Sequence, residues 1–465
     1  MKIEHLLTAY PPEKRVLDAR ERILKKLEAD GAKIVVLDDD PMGTQSIHSV
    51  DVYTSFRERE LQGLFDGSDT LCFLSTNSRS LSESDAFELN LMLSQRIKRC
   101  AESAGRKLLI ASRSDSTLRG HFPAEIRAIE QGIAEKVDAV IIALSFFEGG
   151  RFTIDDTQWV DEGGSLLPSH ETEFANDPVF SYASAHLPSW IEAKSNGHIS
   201  RDEVLTISLS DIRAGGPERV QELLRQTGHG QPVVVNAACY SDLEVFVLGL
   251  MQAESEGKQF LYRCASSFVK VRGGIEDRPL LNSSELSTKG DPGVVVVGSY
   301  THRSTRQLEK LLASGLSMGI EVPVQDLLDA DRRKAVIETV VRKADAALIK
   351  GTTAVIYTER KTIALGGSDS LRAGAVIMDA LCLILQALQQ SPAFTIAKGG
   401  STSHQVATKF LKIDRARVLG QVAEGVPVWR VGEPGHEPST LFVLFPGNQG
   451  TENTLADVLT SLVPG

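Results

Sequence analysis

The sequence has few of the features that mark extracellular, membrane and zinc-binding proteins. Its 465 residues include only five cysteines, and none of them form a Cys-x-x-Cys pair. That scatter argues against a zinc site or a disulfide framework and fits a reducing compartment. No apolar run reaches the roughly 18 residues that a membrane span needs, and the first 30 residues lack a signal-peptide core. We therefore expect a soluble, cytoplasmic protein without a membrane partner.

The sequence also has fewer positive than negative residues, with 50 lysines and arginines against 61 aspartates and glutamates and a net charge of −11. An excess of carboxylates repels polyphosphate backbones, so we expect no nucleic-acid partner. The sequence also lacks the common signatures GxxxxGK[ST], GxGxxG, HExxH and GxSxG. Any catalytic chemistry must therefore rest on other patterns.

Short apolar runs alternate with helical patterns along most of the chain, as strands and helices do in parallel sheets. The alternation predicts an α/β fold of two domains, each a mainly parallel sheet flanked by helices. We expect the active site in the interdomain cleft. A polar stretch at 276–291 predicts the boundary, giving domains at 1–280 and 290–465. Residues 145–200, rich in Gly, Ser, Pro and aromatics, interrupt the alternation and predict a functional insertion or lid rather than a core element.

The first chemical signal is an apolar run that leads into Asp38, Asp39 and Asp40. Carboxylates at the carboxyl end of a parallel strand can bind sugar hydroxyls, act as a base or hold a metal. Helix or turn capping is the alternative, but three adjacent carboxylates repel one another unless a cation offsets them. We take Asp39 and Asp40 as catalytic candidates. Since neighbours on an extended chain point to opposite sides, we expect one to face the crevice and the other to cap the turn.

The second signal follows the apolar run Lys107–Ala111, where a polar loop contains Ser114, Asp115 and Arg119. Asp115 is a third catalytic candidate, because it could receive a hydroxyl proton, and Ser114 is a substrate-binding candidate. Arg119 could hold a substrate carboxylate through two parallel hydrogen bonds. Capping of the next helix explains the loop's hydroxyls but not its Asp and Arg.

Further substrate-binding candidates are Arg79, which follows another predicted strand, and the pair Gly150-Arg151, where glycine allows close backbone approach to a ligand. In the C-terminal half, glycine-rich turns follow three apolar runs, and amide groups at such turns bind anions. These turns suit a nucleotide cleft. Their residues are Ser299, Gly399, Gly400, Ser401, Thr402, Gly447 and Asn448.

Together these patterns resemble the four-carbon acid sugar kinases. The matching pieces span nearly the whole chain and are Asp39-Asp40 with Gly43, Ser78-Arg79, the Asp115–Gly120 string DSTLRG, Gly150-Arg151, Gly298-Ser299, Gly399–Thr402 and Pro446–Asn448. The resemblance implies phosphorylation of a short acid such as threonate, erythronate or 3-oxotetronate. It implies that the acid binds the N-terminal domain and ATP the C-terminal domain, at the seven residues of the glycine turns. Phosphoryl transfer would also need Mg²⁺.

The chain departs from that family at several positions. Pro41-Met42 follow the paired aspartates, His121 replaces a commoner Asn, and Phe445 stands where lysine is frequent. Phe445 is the main support for an alternative, a sensor that binds acid and nucleotide without turnover. A nicotinamide-dependent oxidoreductase is a third hypothesis, against which the lack of GxGxxG counts. Which Asp is the base and whether the chain forms a homo-oligomer are left open.

Overall fold

The chain forms two compact units, residues 1–277 and 278–465, here called the N-terminal and C-terminal units. The computed structural model describes residues 2–286, 288, 291–299, 301–360, 367–432, 440–447 and 449–463, with the side chains of 367–372 left aside. The main sheet of each unit is entirely or mainly parallel, and helices alternate with the strands along the chain. The predicted two-domain α/β fold class is confirmed. No helix in the described ranges is long and apolar enough to cross a membrane.

The N-terminal unit contains a large parallel sheet and a small antiparallel one. Its strands are β1 Ala32–Asp38, β2 Val50–Tyr53, β3 Leu71–Ser75, β4 Lys107–Arg113, β5 Ala139–Ala143, β6 Arg151–Ile154, β7 Thr157–Asp161, β8 Leu166–Pro168, β9 Leu205–Ile207, β10 Gln231–Val235 and β11 Phe260–Cys264. Its helices are α1 Ile3–Leu7, α2 Ala19–Ala29, α3 Glu58–Gly63, α4 Glu83–Ala104, α5 Ala124–Ile133, α6 Leu187–Lys194, α7 Gly216–Arg225, α8 Tyr240–Ser255 and α9 Ser266–Arg272.

The strand order of the large sheet is β2-β3-β1-β4-β11-β5-β10-β9, while β6, β7 and β8 form the antiparallel sheet. All seven residues of β1 are buried, because its two neighbours are strands and both faces of a parallel sheet are covered. The chain leaves β1 to one side, through β2 and β3, and returns through α4 to β4 on the other side. Such a reversal opens a crevice at the carboxyl end of the strand, and this is where ligands bind in open α/β sheets.

The C-terminal unit repeats this arrangement. Its strands are β12 Val294–Val297, β13 Ser317–Val322, β14 Thr353–Thr358, β15 Phe394–Lys398, β16 Arg415–Ala423, β17 Val426–Val431 and β18 Thr440–Phe445. Its helices are α10 His302–Ala313, α11 Val324–Leu328, α12 Ala330–Ile349, α13 Gly367–Gln386, α14 Gly400–Gln405 and α15 Thr454–Leu462. The order is β13-β14-β12-β15-β18-β17-β16, with β16 and β17 antiparallel. β12 lies between β14 and β15, so the reversal in this unit falls at its carboxyl end.

The segment 145–200 differs in part from its prediction. It contains β6, β7 and β8, which form a small sheet outside the main one. However, Leu187, Trp190 and Ile191 of α6 belong to the hydrophobic core of the N-terminal unit. The expectation that no part of this segment is a core element was therefore wrong. Aromatic residues contribute large buried areas, and Trp190 is 1% exposed because it stacks on Phe122 at 4.7 Å between ring centroids.

Candidate functional site

The last residue of β1, Asp38, lies beside Arg113, its in-register neighbour on β4. The distance between Asp38 Oδ1 and Arg113 Nη1 is 3.2 Å, and both side chains are buried. Burial raises the pKa of Asp38 to about 7, although the arginine acts in the opposite direction. Gly43 makes room for this carboxyl group, because a Cβ atom there would overlap it.

The next two aspartates have different surroundings, as expected for neighbours on an extended chain. Asp40 Oδ1 accepts a hydrogen bond from the Met42 amide at 2.8 Å and caps the 3₁₀ turn Pro41–Thr44. Asp39 is 2% exposed, and neither of its carboxylate oxygens accepts a hydrogen bond within the described ranges. Burial raises the pKa of Asp39, with Arg79 opposing the shift. Asp40 is thus the capping residue, and Asp39 is the one with unused acceptor atoms.

Arg79 joins three of the predicted acidic residues. It lies in the 3₁₀ turn that follows β3. Its Nη2 is 3.3 Å from Asp39 Oδ1 and 2.5 Å from Asp40 Oδ2, while its Nη1 is 3.3 Å from Asp115 Oδ1. An arginine that the sequence suggested for substrate binding therefore offsets the charge of the carboxylates in this structure.

Asp115 and Arg119 form a bidentate pair within the loop after β4. Arg119 Nε donates to Asp115 Oδ2 at 2.8 Å, and Arg119 Nη2 donates to Oδ1 at 3.2 Å. Burial alone would raise the pKa of Asp115, but Arg119 and Arg79 outweigh it and hold the pKa well below its usual range. Asp115 is consequently a poor proton acceptor here. The third nitrogen of the Arg119 guanidinium, Nη1, lies 3.6 Å from Asp177 Oδ2, and the side chain as a whole is 26% exposed.

The predicted residues Gly150 and Arg151 stand where the chain enters β6. Gly150 has a φ of 71°, a left-handed value that favours glycine. Arg151 and Arg119 both lie against the ring of Phe174, at 5.4 Å and 5.1 Å from its centroid. Phe174 comes from the segment 145–200 and was not identified from the sequence. This segment therefore supplies a surface that holds two arginines together.

Two other buried charged groups near Asp39 were not identified from the sequence. Arg263 of β11 is fully buried, its Nη2 donates to the Arg119 carbonyl at 3.2 Å, and burial lowers its pKa. Burial raises the pKa of Glu125, whose Oε1 accepts from Ser78 Oγ at 2.5 Å. The predicted residue Ser114 is buried, and its hydroxyl has no hydrogen bond to any described residue.

In the C-terminal unit, the predicted glycine turns meet around Ser299, which follows β12. A Cβ atom at Gly447 would lie 3.1 Å from Ser299 Oγ, and one at Gly399 would lie 3.3 Å from Ser299 Cβ. Ser304 Oγ donates to Ser299 Oγ at 2.9 Å and lies 3.0 Å from the Gly447 carbonyl. The turns after β12, β15 and β18 thus lie together around Ser299, and we call this group the cradle. Because Gly399 and Gly447 have no side chain, there is space beside their backbone.

The remaining predicted residues of this cradle begin a helix. Gly400, Ser401 and Thr402 are the first residues of α14, which continues into the π-helical turn Val406–Phe410. The first amide groups of a helix have no partner within the helix and are available to an anion. Ser401 is exposed and Thr402 is buried. Asn448, the last predicted residue, lies outside the described ranges.

Two family models match the sequence. One describes a sugar-binding N-terminal domain and covers residues 34–272, and the other describes a nucleotide-binding C-terminal domain and covers residues 294–455. The chain belongs to this sugar-binding and nucleotide-binding family. The sugar-binding domain contains the aspartates and arginines described above, and the nucleotide-binding domain contains the cradle around Ser299.

Solved structures share this fold. The Haemophilus influenzae protein HI1011, which carries the family designation DUF1537, has a TM-score of 0.63 at 20% identity over 92% of this chain and 100% of its own. A Salmonella typhimurium LT2 protein that is provisionally named a tRNA synthase has a TM-score of 0.66 at 16% identity over 91% and 98%. At these identities the similarity shows the fold alone. No curated protein matches the sequence.

Proposed function

We propose that the protein is an ATP-dependent kinase that phosphorylates a hydroxyl group of a short sugar acid with four carbons, such as threonate, erythronate or 3-oxotetronate. The observation that carries the proposal is the meeting of three glycine turns around Ser299 in a chain whose other domain is sugar-binding. A cradle of this kind suits phosphate groups. A protein that binds a phosphate donor and a sugar is suited to phosphoryl transfer between them.

The cradle fits the phosphates of ATP. A Cβ atom at Gly298 would overlap the Thr402 hydroxyl, and one at Gly447 would crowd Ser299. Amide groups at the start of α14 and the Ser299 hydroxyl would hold the phosphates. When bound, ATP supplies the phosphoryl group that is transferred.

Magnesium needs no cage made of protein alone, because in kinases it keeps waters and substrate phosphate oxygens as ligands. The described ranges contain no group of three or more His, Cys, Asp or Glu side chains that could hold a metal. The clustered aspartates of the sugar-binding domain face arginines instead. We therefore assign no side chain to Mg²⁺.

Asp39 is the best candidate for accepting the proton of the attacking hydroxyl. Its oxygens have no described hydrogen bond, and its pKa is raised by burial, which suits a general base near neutral pH. Asp40 is engaged as a cap, and the pKa of Asp115 is held low. Arg119 and Arg151, held against Phe174, would bind the substrate carboxylate. Because positioning dominates phosphoryl transfer, these arginines matter as much as the base.

The test is ADP release from Mg·ATP in the presence of individual three- to six-carbon sugar acids, with mass spectrometry of the product. We expect turnover with a four-carbon acid. Asp39→Asn should lower kcat by about 100-fold or more, in line with the loss of a general base, while the fold and nucleotide binding are kept. Asp40→Asn is the matched control and should mainly lower thermal stability.

Two other results would replace the proposal. Binding of both ATP and an acid without ADP release from any of them would favour the sensor. Binding of NAD with acid-dependent reduction would favour the oxidoreductase.

A further inference from the structure

The lysine at the end of β15, Lys398, has a fully buried side chain. It lies opposite Phe445 in the parallel register of β15 and β18. The Lys398 ammonium group stands 4.2 Å from the centroid of the Phe445 ring. A cation over an aromatic face is stabilised by the ring's electrons, and more so when it is removed from water.

This ammonium group is directed at the Pro446–Gly447 turn. Lys398 Nζ donates to the Pro446 carbonyl at 2.6 Å and lies 3.4 Å from the Gly447 carbonyl. Thr301 Oγ1, at 3.1 Å, also donates to the Gly447 carbonyl. In a trans peptide the carbonyl and the following N–H point in opposite directions. The Gly447 N–H therefore points away from Lys398.

Within the described ranges no carboxylate forms an ion pair with Lys398, whose ammonium group instead contacts two carbonyls and the Phe445 ring. Burial lowers the pKa of Lys398 to about 7, and the positive charge of Arg303 of α10 acts in the same direction. A buried cation without an anion is costly, and a phosphate group near it would remove that cost.

We propose that Lys398 is the positioning residue of the nucleotide-phosphate cradle. It holds the Pro446 and Gly447 carbonyls toward its own ammonium group and supplies a positive charge close to the bound phosphates. This role rests on the proposed nucleotide site. It differs from a purely structural role in one measurable respect. A structural lysine keeps its protonation state when nucleotide binds, whereas Lys398 gains a proton because the phosphates raise its pKa.

The experiment is titration calorimetry of the full chain at pH 8 with Mg²⁺ and a non-hydrolysable ATP analogue, in buffers of different ionisation enthalpy. At that pH an amine of pKa about 7 is roughly nine-tenths neutral. We expect uptake of up to about 0.9 proton per nucleotide in the wild-type protein. Lys398→Met should abolish the uptake and weaken binding by about tenfold or more, as expected for losing a charge-assisted interaction.

Two further variants sharpen the test. Lys409→Met removes an exposed lysine of the same unit, paired with Asp379 at 2.6 Å, and should leave both affinity and proton uptake unchanged. The exchange Lys398→Phe with Phe445→Lys moves the cation to the in-register position on β18. It should restore binding to within a few-fold of wild type, whereas Lys398→Phe alone should not.

Wild-type binding without proton uptake would overturn the role of Lys398, whether or not the variants fold. Wild-type affinity in a folded Lys398→Met variant would do the same. If the analogue does not bind at all, the nucleotide site and the proposed function fail together, which distinguishes that outcome from a failure of Lys398 alone.

Discussion

Removing Arg79 is the most direct test of the carboxylate cluster. Arg79 is within 3.3 Å of oxygens of Asp39, Asp40 and Asp115, and its side chain is only 15% exposed. Arg79→Met keeps a similar volume but leaves the three carboxylates without a shared cation. Breaking a buried ion pair by removing one partner costs about 3–5 kcal/mol. We expect a loss of that size in the free energy of unfolding at pH 8.

The loss should depend on pH with a definite sign. Burial raises the pKa of Asp39 in the folded protein, and the positive charge of Arg79 limits that rise. Without Arg79, the folded-state pKa of Asp39 rises further, so the folded variant keeps this proton to a higher pH than the wild type does, whereas the unfolded chain releases it above about pH 4. Stability is then lost as the pH rises. The deficit of Arg79→Met should therefore be larger at pH 8 than at pH 5.

Urea denaturation at both pH values, followed by circular dichroism, measures this difference. Thermal unfolding should show a midpoint lower by about 6–20 °C, from about 2–4 °C per kcal/mol for large domains. The matched control is Arg225→Met, which breaks an exposed pair with Glu256 in the same unit. It should change the midpoint little, because exposed ion pairs contribute little. A loss at pH 8 no larger than the control's would refute the view that Arg79 holds ionised carboxylates.

Three further variants test other parts of the site. Arg119→Lys keeps the charge but loses the planar fork that holds Asp115 in place and would bring the guanidinium to the substrate, so kcat/KM for the acid should fall about tenfold or more, measured by ADP release. Gly447→Ala adds a methyl group 3.1 Å from a hydroxyl of the cradle and should raise KM for ATP, whereas Gly374→Ala, with open space around it, should not. Asp38 has a raised pKa of about 7 in the folded state, so it favours folding below about pH 4 and loses that contribution as the pH rises to about 7. Asp38→Asn removes this dependence. The free energy of unfolding of the variant minus that of the wild type, measured by urea denaturation, should increase by about 4 kcal/mol between pH 4 and pH 8. A difference that stays constant with pH would contradict the burial argument.

The sequence predicted the parts of the fold that depend on local patterns. Parallel strands covered on both faces are apolar throughout, so β1, β3 and β4 were recognisable as runs. The polar residues after those runs were predicted as site candidates. The structure brings three of them together, since Arg79 lies within ion-pair distance of Asp39 and Asp115.

The pairing of distant strands could not be predicted. Arg263 reaches the Arg119 loop because β11 inserts between β4 and β5, although it follows them by more than a hundred residues. An arginine inside an apolar run was a signal for such a site, but it did not say which loop it would meet. Phe174 was missed for a related reason. It belongs to a segment of low regularity whose path depends on tertiary contacts.

The same limit applies to Phe445, whose apolar side chain was the main argument for a sensor without turnover. Taken alone, a phenylalanine at a position where the resemblance led us to expect lysine indicates a lost charge. The register of β15 and β18 places Lys398 opposite it, with the ammonium group over the ring and bonded to the turn that follows. An amine that can take up a positive charge therefore lies at this end of the sheet, on the neighbouring strand. Cross-strand neighbours share one environment, so a lysine at either position of such a pair can supply the charge there. The absence of lysine at 445 thus does not argue against phosphate binding, and the exchange of the two side chains is the variant that tests this reasoning.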